Sequence, residues 1–326
     1  MVVGANGAGK TNLLESLHVV TQGFSPRTRS DGQMVRFGAQ EGRIDASGRR
    51  GSVRCRVRVG LSSSQGKRAE LDGQRLSAAE QLRRELQTLV FTPDRLAVVK
   101  SGPAARRAYF DRVLGRLAPA RLPLPADYAA AVAQRDAALR RVSVGASSLD
   151  ALAPWTQRVA ELGQELVEAR LATLAALSPG FATVAQELGL GGGSLSYEGG
   201  PADEAALEAA LKRDLERGTT GLGPHLHDVC IRADERDLRS FGSQGEQRVT
   251  VLALLLAEAQ LVSERRGYAP LLLLDDVLSE LDAERRAALI RLLPEGQTVV
   301  TSTARDALPA EPAQIVRVSP GRAEAA

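Results

Sequence analysis

Residues Met1–Thr11 read MVVGANGAGKT, and this stretch decides how the rest of the chain is read. Gly4, Gly9, Lys10 and Thr11 stand in the spacing G-x-x-x-x-G-K-T, the phosphate-binding P-loop. Glycines let the backbone curl so that successive N–H groups point at phosphate oxygens, a lysine reaches the β/γ-phosphates, and a hydroxyl ligates Mg²⁺. The expected nucleotide contacts are Gly4, Ala5, Asn6, Gly7, Ala8, Gly9, Lys10, Thr11 and Asn12, with Thr11 on the metal. The flanks agree. Met1–Val3 is a short apolar run of strand character, and Leu13, Leu14, Leu17 and Val20 share one helical face after the loop. The helix N-terminus adds its dipole to the anion site.

Working outward, 326 residues allow two or three domains, and 44% apolar content is enough for buried cores. Aromatics at 3% are too sparse for base-stacking platforms. The net charge is only +3, but the pI is near 9.1 and the lysines are just Lys10, Lys67, Lys100 and Lys212, so arginine carries the basic character. Arginine suits bidentate phosphate contact; genomic composition explains the same bias equally well. Cys55 and Cys230 lie far apart without metal-ligand spacing, which points to a reducing compartment and a cytoplasmic protein. No apolar run reaches membrane-spanning length.

Residues 53–61 alternate with period two, putting Val53, Cys55, Val57, Val59 and Leu61 on one face and Arg54, Arg56 and Arg58 on the other. Spacing alone leaves two readings open: a solvated outer strand, or a row of DNA phosphate contacts on a sheet edge. Asp72-Gly73 marks a hairpin turn. From Asp127 the chain becomes alanine-rich and helical. Helices are expected over 128–142, 155–177 and 203–217, with Pro179 interrupting the run and Trp155 on the core stripe of the second. His225 and His227 lack the companions of a metal site and read as structural.

Two later stretches carry chemistry. Ser243-Gln244-Gly245 opens a long apolar helix and reads first as an N-cap; the same geometry is also an anion site, which a chain that already has a P-loop would use on a nucleotide held by another subunit. PLLLLDDVLSELD, residues 270–282, is a buried parallel strand ending in two carboxylates. Asp275 is placed to hold Mg²⁺ and Asp276 to orient or deprotonate the attacking water; paired carboxylates call for a cation. Residues 297–303 read as one more core strand ending in hydroxyls, 315–318 as a last edge strand, and the tail after Pro320 as loose.

The motifs GANGAGKTNLLES (4–16), PRTRSDGQMVRFGA (26–39), FTPDRL (91–96), VKSGPAARRAYFD (99–111), YAAAVAQRDAALRR (128–141), GTTGLGPH (218–225), RSFGSQGEQRVTVLALLLAEA (239–259) and LLLLDDVLSELDAERR (271–286) span nearly the whole chain. In this order they resemble the ATPase head of the ABC/SMC group and, within it, the RecF family of bacterial recombination mediators. The resemblance implies an α/β fold: a two-lobed mixed sheet with a P-loop and an inserted α-helical arm. Lobe I would cover 1–97 without the usual N-terminal strands, the arm 98–217, and lobe II 218–326. Lys10 and Thr11 would be the Walker A pair, Asp275 the Walker B ligand, Asp276 the acidic residue beside it, Ser243 and Gly245 the signature completing a partner's ATP site, and 279–282 the D-loop; catalysis would rest on Asp276, Lys10 and Ser243. The implied cofactors are ATP and Mg²⁺. The implied partners are double-stranded DNA, a second copy bound through ATP, and RecR and RecO in loading RecA at gaps, with a weak ATPase as the switch and no membrane.

Against the family pattern, the P-loop begins at residue 4, so a start assigned too late is the expectation. Leu226 and His227 stand where an arginine and an acidic residue are usual. Thr301-Ser302-Thr303 replace the switch histidine, leaving hydroxyls as the γ-phosphate sensor. An ABC transporter subunit is disfavoured by that missing histidine, and an SMC tether by an insertion too short for long coiled coils. A DNA clamp that never turns ATP over remains as a rival.

Overall fold

The computed structural model describes residues 1–28, 30–200 and 202–326; Arg29, within the PRTRSDG motif, lies outside the described residues. In chain order the strands are β1 (Val2–Val3), β2 (Glu41–Arg50), β3 (Val53–Ser62), β4 (Arg68–Leu71), β5 (Gln74–Arg75), β6 (Thr88–Phe91), β7 (Ser194–Glu198), β8 (Asp228–Ala233), β9 (Arg236–Asp237), β10 (Leu271–Leu274), β11 (Thr298–Ser302), β12 (Val316–Ser319) and β13 (Arg322–Ala325). The helices are α1 (Lys10–Gln22), α2 (Leu82–Glu85), α3 (Ala97–Lys100), α4 (Pro103–Leu117), α5 (Leu124–Ser143), α6 (Ala153–Glu187), α7 (Glu204–Ala209), α8 (Leu211–Arg217), α9 (Leu238–Phe241), α10 (Gln244–Arg266) and α11 (Ala283–Leu292). The chain divides into two compact units: residues 1–96, 183–190 and 244–326 form the first, and 97–182 with 191–243 the second.

In the first unit a sheet runs β13-β12-β1-β11-β10-β6. β1, β6, β10, β11 and β12 are parallel, and β13 is antiparallel to β12. All four residues of β6 and Leu272–Leu274 of β10 are buried, as strands covered on both faces must be. β1 lies between β11 and β12, so the P-loop strand is interior although it begins at residue 2. The expected last edge strand is interior as well. The tail after Pro320, expected loose, turns at Gly321 and pairs back as β13, which is the true edge. A second, antiparallel sheet runs β2-β3-β4-β5. Val57, Val59 and Leu61 of β3 pack with Val19 and Val20 of α1. Asp72 and Gly73 both take positive φ at the β4–β5 turn, as the hairpin signal requires.

The second unit is built on α4, α5 and α6, whose core includes Leu114, Tyr128, Val159, Leu162 and Leu166, with β7-β8-β9 as a small sheet. α6 continues through Pro179 to Glu187, so the proline does not end the helix. Ala175, whose carbonyl a residue at 179 would bond, is exposed like Pro179 itself, so the lost bond falls on the solvent side. Trp155 is 37% exposed rather than core. The buried stripe instead enters through Thr156, which binds Arg135, and leaves the indole on the rim. The helix expected over 203–217 divides at Ala210, with Asp203 capping the first part by accepting from the Ala206 amide.

Residues 218–243, expected with lobe II, belong to the second unit, and side chains explain why. Arg135 and Asp214 are both fully buried and pair at 2.8 Å. Asp136 accepts from the amide and hydroxyl of Thr220. Arg170 grips Asp111 with two donors and gives a third to the Pro224 carbonyl. His225 Nδ1 meets the Tyr128 hydroxyl at 2.8 Å, and His227 Nδ1 meets that of Tyr197 at 2.9 Å. The GTTGLGPH segment is thus fastened to the helices, and both histidines are structural, as expected. Leu226 is 55% exposed.

Candidate nucleotide site

The P-loop leaves β1 at Gly4 and enters α1 at Lys10. A Cβ on Gly4 would stand 2.4 Å from the Val318 carbonyl oxygen, so only glycine permits this approach to β12. Gly9 caps α1 with φ of 106°, a conformation that side chains disfavour. The glycine spacing therefore has two separate causes, close passage at one end and left-handed backbone at the other.

Lys10 is nearly buried, and its ammonium donates to the carbonyls of Gly4 (2.8 Å) and Ala5 (3.0 Å). Thr11 Oγ1 donates to Asp275 Oδ1 at 3.2 Å, so the two expected metal ligands lie together. Thr301 organises the aspartates. Its hydroxyl donates to Asp275 Oδ1 and accepts from the Asp276 amide, each at 2.8 Å. It is fully buried, and its proton is committed to Asp275. Asp276 sits at φ of 51°, in the left-handed region that few residues other than glycine occupy, and Ser279 donates to its carbonyl. The strained backbone turns Asp276 out while Asp275 stays buried.

These residues line one open depression of about 430 Å³, together with Asn6, Gly7, Gly9, Asn12, Thr92, Asp94 and Arg27. Arg27 is held by Glu15 (3.2 Å) and Asn12 (3.3 Å). No local spacing singles out this arginine; it stands in the sequence only within the 26–39 motif. Thr11 and Asp275 supply two hard oxygen ligands, the set that suits Mg²⁺ when phosphates and water complete its octahedron, and two adjacent carboxylates beside this depression fit a cation.

Ser243, Gln244 and Gly245 are exposed, and within the first unit Gln244 and Gly245 do not line this depression. Along α10, Arg248 pairs with Glu280 of the 277–280 turn at 3.0 Å, tying the signature helix to the segment after Asp276. Burial is the main cause holding the Glu280 carboxyl above its ordinary pKa, with Asp276 adding to it and Arg248 opposing. Of the three arginines expected on DNA, Arg54, Arg56 and Arg58 are all exposed. β4 pairs with β3 only over residues 57–60, so Arg58 stands on a stretch flanked by two strands, whereas Arg54 is paired with β2 alone and its other side is open. Arg58 is further committed to Asp45 and Glu70.

A parallel sheet with a P-loop on one strand and an aspartate pair two strands away defines an ABC/SMC-type ATPase head. The chain matches the RecF/RecN/SMC N terminal domain over residues 1–324. It is 35% identical over 328 residues to the DNA replication and repair protein RecF of Lacticaseibacillus casei (strain BL23), spanning 95% of this chain and 88% of that one. It is 36% identical over 327 residues to RecF of Myxococcus xanthus (strain DK1622), covering 93% and 84%. The chain belongs to the RecF family. Among solved structures, the recombination mediator protein RecF with ATP, of the RecFOR pathway, shares the fold with a TM-score of 0.87 at 24% identity, over 100% of this chain and 90% of that one. An Smc head bound to the C-winged helix domain of ScpA follows at a TM-score of 0.60 and 18% identity, over 100% of this chain and 88% of that one. Among the described residues no helix is long and apolar enough to cross a membrane.

Proposed function

We propose that the chain is an ATP-driven DNA-binding protein of cytoplasmic recombinational repair. ATP binds in the P-loop depression through the loop amides and Lys10, and Ser243-Gln244-Gly245 of a second copy close over the γ-phosphate, so that two copies join head to tail. The joined pair grips double-stranded DNA at gaps and acts with RecR and RecO to load RecA. Weak hydrolysis, aided by Asp276, resets it.

One observation carries this reading. Lys10, Thr11, Asp275 and Asp276 converge on one open depression, whereas Gln244 and Gly245 of the same unit take no part in lining it and, like Ser243, are exposed. A second copy gives the exposed signature a nucleotide to bind. Thr11 and Asp275 would hold Mg²⁺, whose charge would offset that developing on the phosphates. The chain's own groups do the rest. Lys10 is already fixed on its loop and loses little freedom on meeting a phosphate. Thr301 sets the spacing of the two aspartates, and Asp276 faces the depression as the base that orients water. The test is Ser243→Arg: ATP binding should persist and ATP-dependent dimers should vanish in sedimentation. Dimers that survive the substitution would sink the composite site.

A further inference from the structure

The outer face of the antiparallel sheet is divided in charge along its length. Register sets Asp45 opposite Arg58, Ser47 opposite Arg56 and Arg49 opposite Arg54. Towards Asp45 the arginines are answered: Arg58 meets Asp45 at 2.7 Å and Glu70 at 3.6 Å, and Arg43 meets Asp45 at 2.7 Å. Asp45 binding holds the Arg58 guanidinium above its ordinary pKa. Towards the β2–β3 turn they are not. Among the described residues Arg49, Arg54 and Arg56 make no ion pair. Arg49 donates only to the Ser52 carbonyl, at 2.9 Å. The nearby acid, Asp72, turns Oδ1 to the backbone amide of Arg56 at 2.7 Å, fixing the strand rather than the guanidinium.

Like charges directly opposite on neighbouring strands repel. Arg49 and Arg54 hold that position, and with Arg56 they line a shallow depression of about 500 Å³. Neighbouring strands are ~4.8 Å apart and alternate residues of one strand ~6.8 Å apart, so the three charges act within one Debye length of ~8–10 Å. Arginine forks of this kind fit phosphate oxygens bidentately, and a paired sheet holds their stems in place. No aromatic residue stands on β2 or β3 themselves, so these strands present charge.

We propose that the β2–β3 turn end of this face is a contact for the backbone phosphates of duplex DNA, made by Arg49, Arg54 and Arg56 with the Ser47 hydroxyl beside them, and that Arg58 takes no part. The proposal rests on the DNA-binding reading above and assigns it a surface. Contacts of this class position the protein without reading sequence.

The experiment is duplex binding with ATP across 50–200 mM salt, for the full chain and for Arg49→Gln/Arg54→Gln/Arg56→Gln, Arg54→Gln alone and Arg58→Gln. Each lost phosphate contact should flatten the log–log slope by about 0.9, so the triple variant should lose about 2.7 and the single about 0.9. Arg58→Gln should keep the full slope, and the triple variant should keep its nucleotide affinity and thermal midpoint. A triple variant with the parent slope, on a parent that does bind duplex, overturns this surface and leaves the DNA-binding reading standing. A parent that binds no duplex with any nucleotide overturns both. Equal slope losses in Arg58→Gln and Arg54→Gln overturn the division of the face, and an equal effect on a single strand of the same length overturns the duplex assignment.

Discussion

Lys10 in the P-loop and Arg135 in the helical unit are both cations withdrawn from water, at 9% and 0% exposure, yet their partners differ in kind. Arg135 has a carboxylate at 2.8 Å, hydroxyls of Thr156 and Thr220 at 3.1 and 3.0 Å, and the Leu207 carbonyl at 3.5 Å. Its charge is balanced, and its circuit closes within the unit. Lys10 has two carbonyls of its own loop and no carboxylate partner among the described residues. Its charge is held in position but not neutralised, and the depression beside it is open. A buried cation with an anion of its own stabilises the fold by staying where it is. A buried cation resting on neutral oxygens is kept for an anion that comes and goes. The two ends of the outer sheet face repeat the contrast at the surface, Arg58 being answered and Arg54 not.

The sharpest way to break this comparison is to open the closed circuit. Arg135→Leu leaves Asp214 buried without its partner and should cost about 3–5 kcal/mol. Urea unfolding followed at Trp155, which lies in the same unit, reads that loss; a change under about 1 kcal/mol would mean the pair is not what holds the helices. At the open site the effect should fall on chemistry instead of stability. Asp276→Asn should leave ATP binding and the thermal midpoint nearly unchanged and lower turnover by about 100-fold, the lower range for loss of a positioned base. If turnover falls and DNA release does not slow, hydrolysis is not the reset and the chain acts as a passive clamp.

The smallest effect concerns pH in the second unit. Burial is the first cause lowering the pKa of both His225 and His227, and Arg170 adds to it at His227. The unfolded chain therefore takes up protons at these sites first as pH falls. Their stabilisation is fully present above the unfolded value of about 6.5 and is lost as pH drops through the lowered folded values. Asp228, which burial pushes up but the Arg106 hydrogen bond holds below the ordinary carboxylate value, stays protonation-silent between pH 7.5 and 5.5. His227→Asn should reduce the fall in melting temperature between pH 7.5 and 5.5; an unchanged slope would place the acid sensitivity elsewhere.

Much of the site was legible in the sequence because its geometry is dictated locally. G-x-x-x-x-G-K-T fixes a loop against a helix start, and four leucines before two aspartates fix a buried strand and what stands at its end. Asp275 and Thr11 are 264 residues apart, and each was marked by its own motif. What escaped depends on contacts that no local pattern encodes. The domain boundary moved to Ser243 because Asp136, Arg170 and Tyr128 reach the 218–225 loop from distant helices. The hold of Thr301 on both aspartates has no sequence signal, because a hydroxyl at a strand end looks the same whether it faces a phosphate or an aspartate. The tail read as loose because β13 is fully exposed and owes its form to pairing with β12 alone.

The central claim is that ATP in the P-loop depression switches the grip on DNA. The most direct measurement is the binding of a labelled duplex with ATP, with ADP and with no nucleotide, at one fixed salt concentration. Tight binding with ATP alone is expected. Equal binding in all three conditions would contradict the switch and leave ATP without a role in DNA recognition.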